Sequence, residues 1–383
     1  MNIDEKLTLQ PVDPGAARDP GKNDIVVDSL LRARAILTNP HVQASLFERG
    51  PLPPPVNAAQ ALVARGIELR ATWMRGLDPQ RHAAIRKQIA KAVDSEALAW
   101  LTQAWTARAK TLLRHGTLRP HFDLVTGFAE PMVREDFFTL FGVPDSKRTL
   151  LLAHLASMRL FIDGPSPIGA AHFFAMAAAG AIFEDVFRRP LPDDAIAARA
   201  LLLAVGEGAL QRDEAIAHAI MLHLANETSA ETLAALIARL IERPDIWADL
   251  RTGTISVESV VEEGLRLGPP TTHVSLARIA RQDVVFEETI IPAGSQILLP
   301  LGELNRDPAA FANPEEFDPA RRGPKHLAFG AGPHMCLGTR LARANLRVAL
   351  QALVDAIDVW PAVEGSYSTN RRGETGVAHL TVM

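Results

Sequence analysis

Through most of the chain, apolar residues recur three and four positions apart with charged residues between them. That period predicts amphipathic helices, and it gives way to two-residue alternation only in one short stretch near residue 285. The reading is a mainly α fold with a minor β region. DSLLRARAILTNP (28–40) predicts a short helix with Asp28 as N-cap, closed before Pro40. GPLPPPV (50–56) predicts an extended proline segment. Residues 57–113 are patterned as helix, broken at GLDPQ (76–80), and residues 121–144 predict two helices meeting near Pro131. Helical patterning continues to about Phe187 with a break at 163–167, and RPLPDD (189–194) predicts a loop.

The longest predicted element runs from Asp213 to Arg243, where the residue before a proline leaves the helical region. At 1.5 Å per residue it spans roughly 46 Å, the width of a whole domain. It is apolar on most sides, which predicts a central, buried helix. Its middle holds a polar island, Asn226-Glu227-Thr228-Ser229, costly to bury without partners or a task. SVESVVEEGLRLGPP (256–270) predicts a helix closed by Gly268 and Pro269. DVVFEETIIPAGSQILLPL (283–301) predicts two strands around a Pro-Ala-Gly turn. Residues 337–357 predict a helix with two apolar stripes, packed on two sides.

Composition narrows the function. Hydrophobic residues make up 48%, enough for one large core, and nothing in the chain reads as a linker or repeat. A net charge of −4 argues against a nucleic-acid binder. The single cysteine excludes an intrachain disulfide and fits a reducing cytoplasm. Residues 1–24 are polar and proline-broken, which predicts a tail and neither a signal peptide nor a membrane anchor, with one domain over 25–383.

That cysteine, Cys336, sits in HLAFGAGPHMCLG (326–338), where a glycine-rich turn runs into a helix. Free N–H groups and the helix dipole predict a lowered thiol pKa. A thiolate so placed is a nucleophile or a metal ligand; an inert buried thiol is the bland alternative. Phe329-Gly330-Ala331-Gly332-Pro333-His334-Met335-Cys336-Leu337-Gly338 decides among these. It resembles the heme-binding signature F-G-x-G-x-H-x-C-x-G of the cytochrome P-450 family. Six fixed positions coincide by chance on the order of once per million chains of this length.

The resemblance implies a single-domain triangular P-450 fold, with heme between the long central helix and the cysteine-loop helix. It makes Cys336 the axial thiolate ligand of the iron of heme b, with Phe329 and Gly330 beside it. For the heme propionates it implies His82 and Arg86 of HAAIR, Arg278, and His334. Glu263 and Arg266 of EEGLR, with Arg321 of FDPARR, resemble the family's structural ion-pair lock. Glu227 and Thr228 resemble its acid–alcohol pair, which implies proton delivery for the activation of O2. In that register Leu224 and Ala225 replace two small residues, so either Leu224 narrows the substrate pocket with Ala225 beside it, or the helix is locally shifted and Ala225 and Asn226 stand in for the small pair. Val274 is expected to line the pocket too, together with parts of 57–75, 160–180, 269–276 and 375–380.

The implied activity is monooxygenation of an apolar small molecule, by hydroxylation or epoxidation, in a soluble, cytoplasmic, bacterial-type monomer. Electrons would come from a separate ferredoxin or flavodoxin with an NAD(P)H-dependent reductase. Lys87, Lys91, Arg340 and Arg343 are candidates for docking it. Two rivals use the same platform: a peroxygenase or isomerase, and a heme sensor or electron carrier. A carrier needs a second axial ligand, for which the sequence offers no obvious candidate; His223 on the long helix is the residue to check.

Overall fold

The computed structural model describes residues 24–44, 54–115, 120–159, 161, 169–268, 277–286, 289–369 and 375–383. Helices come first: α1 (Leu30–Thr38), α2 (Ala58–Ala71), α3 (Pro79–Ala92), α4 (Ser95–His115), α5 (Glu130–Leu140), α6 (Asp145–Met158), α7 (Ala170–Arg188) and α8 (Ile196–Gly206). The long α9 (Arg212–Glu242) follows, then α10 (Pro244–Thr252), α11 (Val257–Leu267), the one-turn α12 (Leu301–Leu304) and α13 (Thr339–Ala356). Eight strands complete the set: β1 (Asp24–Val26), β2 (Val42–Ala44), β3 (Arg278–Ala280), β4 (Val284–Phe286), β5 (Thr289–Ile291), β6 (Gln296–Leu298), β7 (Val363–Thr369) and β8 (Thr375–Val382).

Helix α9 is the axis of the molecule. It touches α2, α5, α6, α7, α8, α10, α11, α13 and β8. That breadth explains why it is apolar on most sides. Gln211 and Glu214 close its N-terminus reciprocally, and Pro244 follows its end. A second, smaller core lies under the four-stranded sheet, ordered β1-β6-β3-β2, and is built from Leu30, Ile36, Ile297, Leu299, Leu327 and their neighbours.

Several expectations need correction. Ser29, not Asp28, precedes the first helical residue of α1. The two helices expected to meet at Pro131 are one continuous rod, in which a π turn over Val125–Ala129 runs directly into α5. Pro131 sits in the first turn of α5, where its missing N–H costs little. The Pro-Ala-Gly turn has strands on both sides, as expected, and the run before it divides into β4 and β5. β5 pairs with β4, whereas β6, beyond Gly294 (φ 82°), joins the other sheet between β1 and β3.

Helix α7 is long and apolar enough to cross a bilayer. It spends that apolarity inside the protein: Phe173, Met176, Ile182, Phe183 and Phe187 are buried against α2 and α6. The expected tail lies outside the described residues except for Asp24, which opens β1. Val274, with all of 269–276, also lies outside them, as do residues 162–168.

Candidate functional site

The cysteine loop is shaped by two glycines in the left-handed region, Gly330 (φ 67°) and Gly332 (φ 72°). A Cβ on Gly332 would lie 2.2 Å from the Leu37 carbonyl oxygen, so close approach to α1 also demands glycine there. The Cys336 N–H donates to the Phe329 carbonyl (2.9 Å), and the Thr339 hydroxyl donates to the Cys336 carbonyl (2.7 Å) at the start of α13. Arg86 reaches from α3 to donate to the Met335 carbonyl at 2.6 Å.

Cys336 opens onto a cavity of about 320 Å³ between this loop and α9. The expectation of an acidified thiol is corrected. Burial pushes the Cys336 thiol above its ordinary value. The Gly338 N–H, the Thr339 hydroxyl and the charges of Arg86 and Arg343 oppose that push without overcoming it. A thiol in such a place becomes a thiolate when a cation binds it, which is compatible with the metal-ligand reading. Among the described residues no group of three or more His, Cys, Asp or Glu could hold a metal ion. Cys336 would therefore be the single protein donor to an ion whose other ligands come with the cofactor.

The rest of the cavity wall fits an anionic cofactor. Arg75, Arg86, Arg278, His82 and His334 all line it, and among the described residues no carboxylate does. The His82 and His334 rings lie 4.2 Å apart. Burial, then the nearby His82, Arg278, Arg75 and Arg86, hold His334 down to about 3. Burial and then Arg75 bring Arg278 down to about 9. Converging cations that depress one another are what a site for two carboxylates looks like before they arrive. With one sulfur aimed at the cavity, this donor set suits the iron and the two propionates of heme. Arg75 is a residue that sequence reasoning missed. It stands alone in the turn Met74–Gly76, seven residues before His82, where no pattern marks it.

Helix α9 forms the opposite wall through Met221, Leu222, Ala225, Asn226, Thr228, Ser229 and Thr232. Leu224 is not among them; it is fully buried in the core, so its expected place in the pocket is corrected. One position along a helix is a turn of about 100°, and that rotation separates Leu224 from the cavity-facing Ala225. Glu227 likewise points away from the cavity, ion-paired to Arg134 of α5 at 2.7 Å, with Glu130 on the same guanidinium. Thr228 stays in the wall and donates to the Ala225 carbonyl at 2.7 Å. The acid and the alcohol are therefore neighbours in sequence but not assembled at the cavity. Asn226 ties the helix to α5 by donating to the Val133 carbonyl at 2.8 Å.

Behind the site, Glu263 accepts two bonds from Arg266 (2.8 Å each), one from Arg321 (3.1 Å) and one from the Asp318 N–H (3.0 Å). Arg266 also donates to the carbonyls of Asn305, Pro314 and Glu316. This knot fastens α11 to the irregular stretch before the cysteine loop. His223 is no axial ligand. It is buried among Phe137, Phe138, Phe141 and Phe183, off the cavity wall. Of the four candidate docking cations, Lys87, Lys91 and Arg340 are exposed, whereas Arg343 is held by Glu262.

A family model described as Cytochrome P450 matches residues 256–372. The beta-dihydromenaquinone-9 omega-hydroxylase of Mycobacterium tuberculosis is 30% identical over 333 residues, which is 83% of this chain and 67% of that protein. The nocardicin C N-oxygenase of Nocardia uniformis is 31% identical over 289 residues, 73% of this chain and 71% of that one. Among solved structures, P450BioI in complex with an acyl carrier protein ligated to hexadec-9Z-enoic acid superposes with a TM-score of 0.79 at 25% identity. The match covers 94% of this chain and 92% of that one. Agreement over most of both chains, with hydroxylase and N-oxygenase relatives, means that this chain belongs to the cytochrome P450 family and is a P450 monooxygenase.

Proposed function

We propose that the chain is a heme b-thiolate monooxygenase that inserts one oxygen atom from O2 into an apolar small molecule, by hydroxylation or epoxidation. The observation that carries this reading is the juxtaposition of one thiol with a cluster of arginines and histidines in one cavity wall, with no carboxylate among the described residues that line it. Bound there, heme b supplies the activation of O2 that no amino-acid side chain offers. Cys336 would hold the iron, and its anionic sulfur would push electron density toward it. Arg75, Arg86, Arg278, His82 and His334 would take the propionates.

Phe137, Met221, Leu222 and Ala225 give the wall an apolar side for substrate and keep bulk water out. Thr228 is positioned to hold a proton at its hydroxyl oxygen on the cavity side. Glu227 would feed that hydroxyl only after its carboxylate leaves Arg134 and takes up a proton from solvent, so proton supply would be coupled to the seam between α9 and α5. Electrons would enter from a separate ferredoxin or flavodoxin with its reductase, a class of acidic partner suited to the exposed Lys87, Lys91 and Arg340. An apolar substrate is supported by the hydroxylase relative that acts on a dihydromenaquinone and by the neighbour holding an acyl chain.

The direct test is a carbon monoxide difference spectrum of the reduced protein reconstituted with hemin. The wild type is expected to give the thiolate-ligated band and Cys336→Ser to lose it. A wild type that takes up no hemin, or a serine variant with an unchanged band, would refute the reading.

A further inference from the structure

Helix α11 carries two consecutive carboxylates with different partners. Glu263 turns to the Arg266–Arg321 knot, and Glu262 turns to the cysteine loop. Glu262 grips Arg343 of α13 with two bonds, Nε to Oε1 at 2.5 Å and Nη2 to Oε2 at 2.7 Å. The guanidinium carbon of Arg343 lies 4.7 Å from the centroid of the Phe329 ring. Phe329 lines the cavity, whereas Arg343 and Glu262 do not. Its carbonyl takes the Cys336 N–H. His326, at the head of the loop, stands in the same cluster. Its Nδ1 accepts from the Ala328 N–H (3.1 Å), which leaves the proton on Nε2, 3.3 Å from Glu262 Oε2. The guanidinium therefore lies between a carboxylate and the Phe329 ring, and the backbone of Phe329 is hydrogen-bonded to that of Cys336.

We propose that Arg343, oriented by Glu262, is a positioning residue that sets the electron affinity of the iron through Phe329 and Cys336. The inference rests on the reading of Cys336 as the heme ligand. Reduction adds one negative charge beside the sulfur. A cation fixed on the ring of a residue hydrogen-bonded to Cys336 stabilises that charge, and the carboxylate behind it offsets part of the effect. A planar guanidinium on an aromatic face holds its place better than a mobile ammonium, so the arrangement also restrains the Phe329 ring.

Spectroelectrochemical titration of the substrate-free holoenzyme tests this, because charge and packing make different predictions. Arg343→Leu is expected to shift the midpoint potential negative, and Arg343→Lys to recover part of the shift. Glu262→Gln, isosteric and half-exposed, is expected to shift it positive, because the cation is then less neutralised. Arg347→Leu removes an equal charge one turn along α13, where Arg347 is 3.6 Å from Glu258 and no ring intervenes. It should leave the potential nearly unmoved.

Shifts of the same sign in Arg343→Leu and Glu262→Gln, no shift in either, or an equal shift in Arg347→Leu would overturn the inference while a normal wild-type carbon monoxide spectrum leaves the family reading standing. A wild type without the thiolate band would bring down both. Should Arg343→Leu yield no holoenzyme, the sign of the Glu262→Gln shift still decides.

Discussion

His223 and His334 are both held neutral inside the protein, but for different reasons. His223 sits in a box of four phenylalanines, with ring centroids 4.6–5.5 Å away. Its Nδ1 donates to the Ala219 carbonyl (2.8 Å), its Nε2 has no partner, and burial brings it down to about 4. A histidine depressed from 6.5 contributes stability that is present above 6.5 and is lost as the pH falls toward 4, since only the unfolded chain takes the proton readily. His223→Phe is therefore expected to raise stability by about 1 kcal/mol, by removing an unsatisfied acceptor, and to flatten part of the acid-side loss. His218 is the contrast. It too is held at about 4, by burial, but its Nε2 accepts the Met74 N–H at 3.0 Å. His218→Phe should cost about 1–3 kcal/mol, because a buried donor is stranded. Denaturant melts from neutral pH to pH 4 would show both; a His223→Phe variant less stable than wild type would contradict the first. His334 differs again, since neighbouring cations that await an anion add to its burial.

Helix α9 shows what was readable at the level of elements. Its extent was legible to within one residue at each end, because the capping pair and Pro244 mark its limits. Its orientation was not. A helix apolar on most sides gives its periodicity no phase, so nothing in the sequence distinguished Leu224 from Met221 or Ala225 as the cavity residue. The cysteine loop was legible because fixed spacings of glycine, histidine and cysteine carry their own register, whereas Arg75, one arginine in a short turn, carries none. The three-residue strands β1 and β2 are too short to alternate visibly.

Helix α2 lies so close to α7 that a Cβ on Gly66 would fall 1.8 Å from the Phe173 carbonyl oxygen. In an open helix, glycine to alanine gains up to about 1 kcal/mol. Gly66→Ala is expected instead to lose about 1–3 kcal/mol through overpacking. Gly206→Ala, at the end of α8 with no atom within 4 Å of the added carbon, should be neutral or slightly stabilising. Paired thermal melts check this, and equal effects at the two sites would mean that the α2–α7 seam yields freely.

Across the whole molecule, two clusters of buried charge are built on opposite principles. In the knot behind the site, Glu263 compensates Arg266 and Arg321 within the chain itself. Removing it strands Arg266, whose side chain is 2% exposed, so Glu263→Gln is expected to cost about 3–5 kcal/mol with or without cofactor. In the cavity, Arg278 is as deeply buried, but among the described residues the surrounding wall offers cations and no carboxylate. Desolvation without an anionic counterpart is a cost that only a bound anion removes. Arg278→Met should therefore raise the melting temperature of the heme-free protein while speeding the loss of hemin to a scavenger, a stability–function trade at a prepared site. Glu263→Gln should lower the melting temperature in both states. If Arg278→Met destabilised the heme-free protein as Glu263→Gln does, the cavity arginine would be one more structural charge, and the case for a site prepared for propionates would fail there.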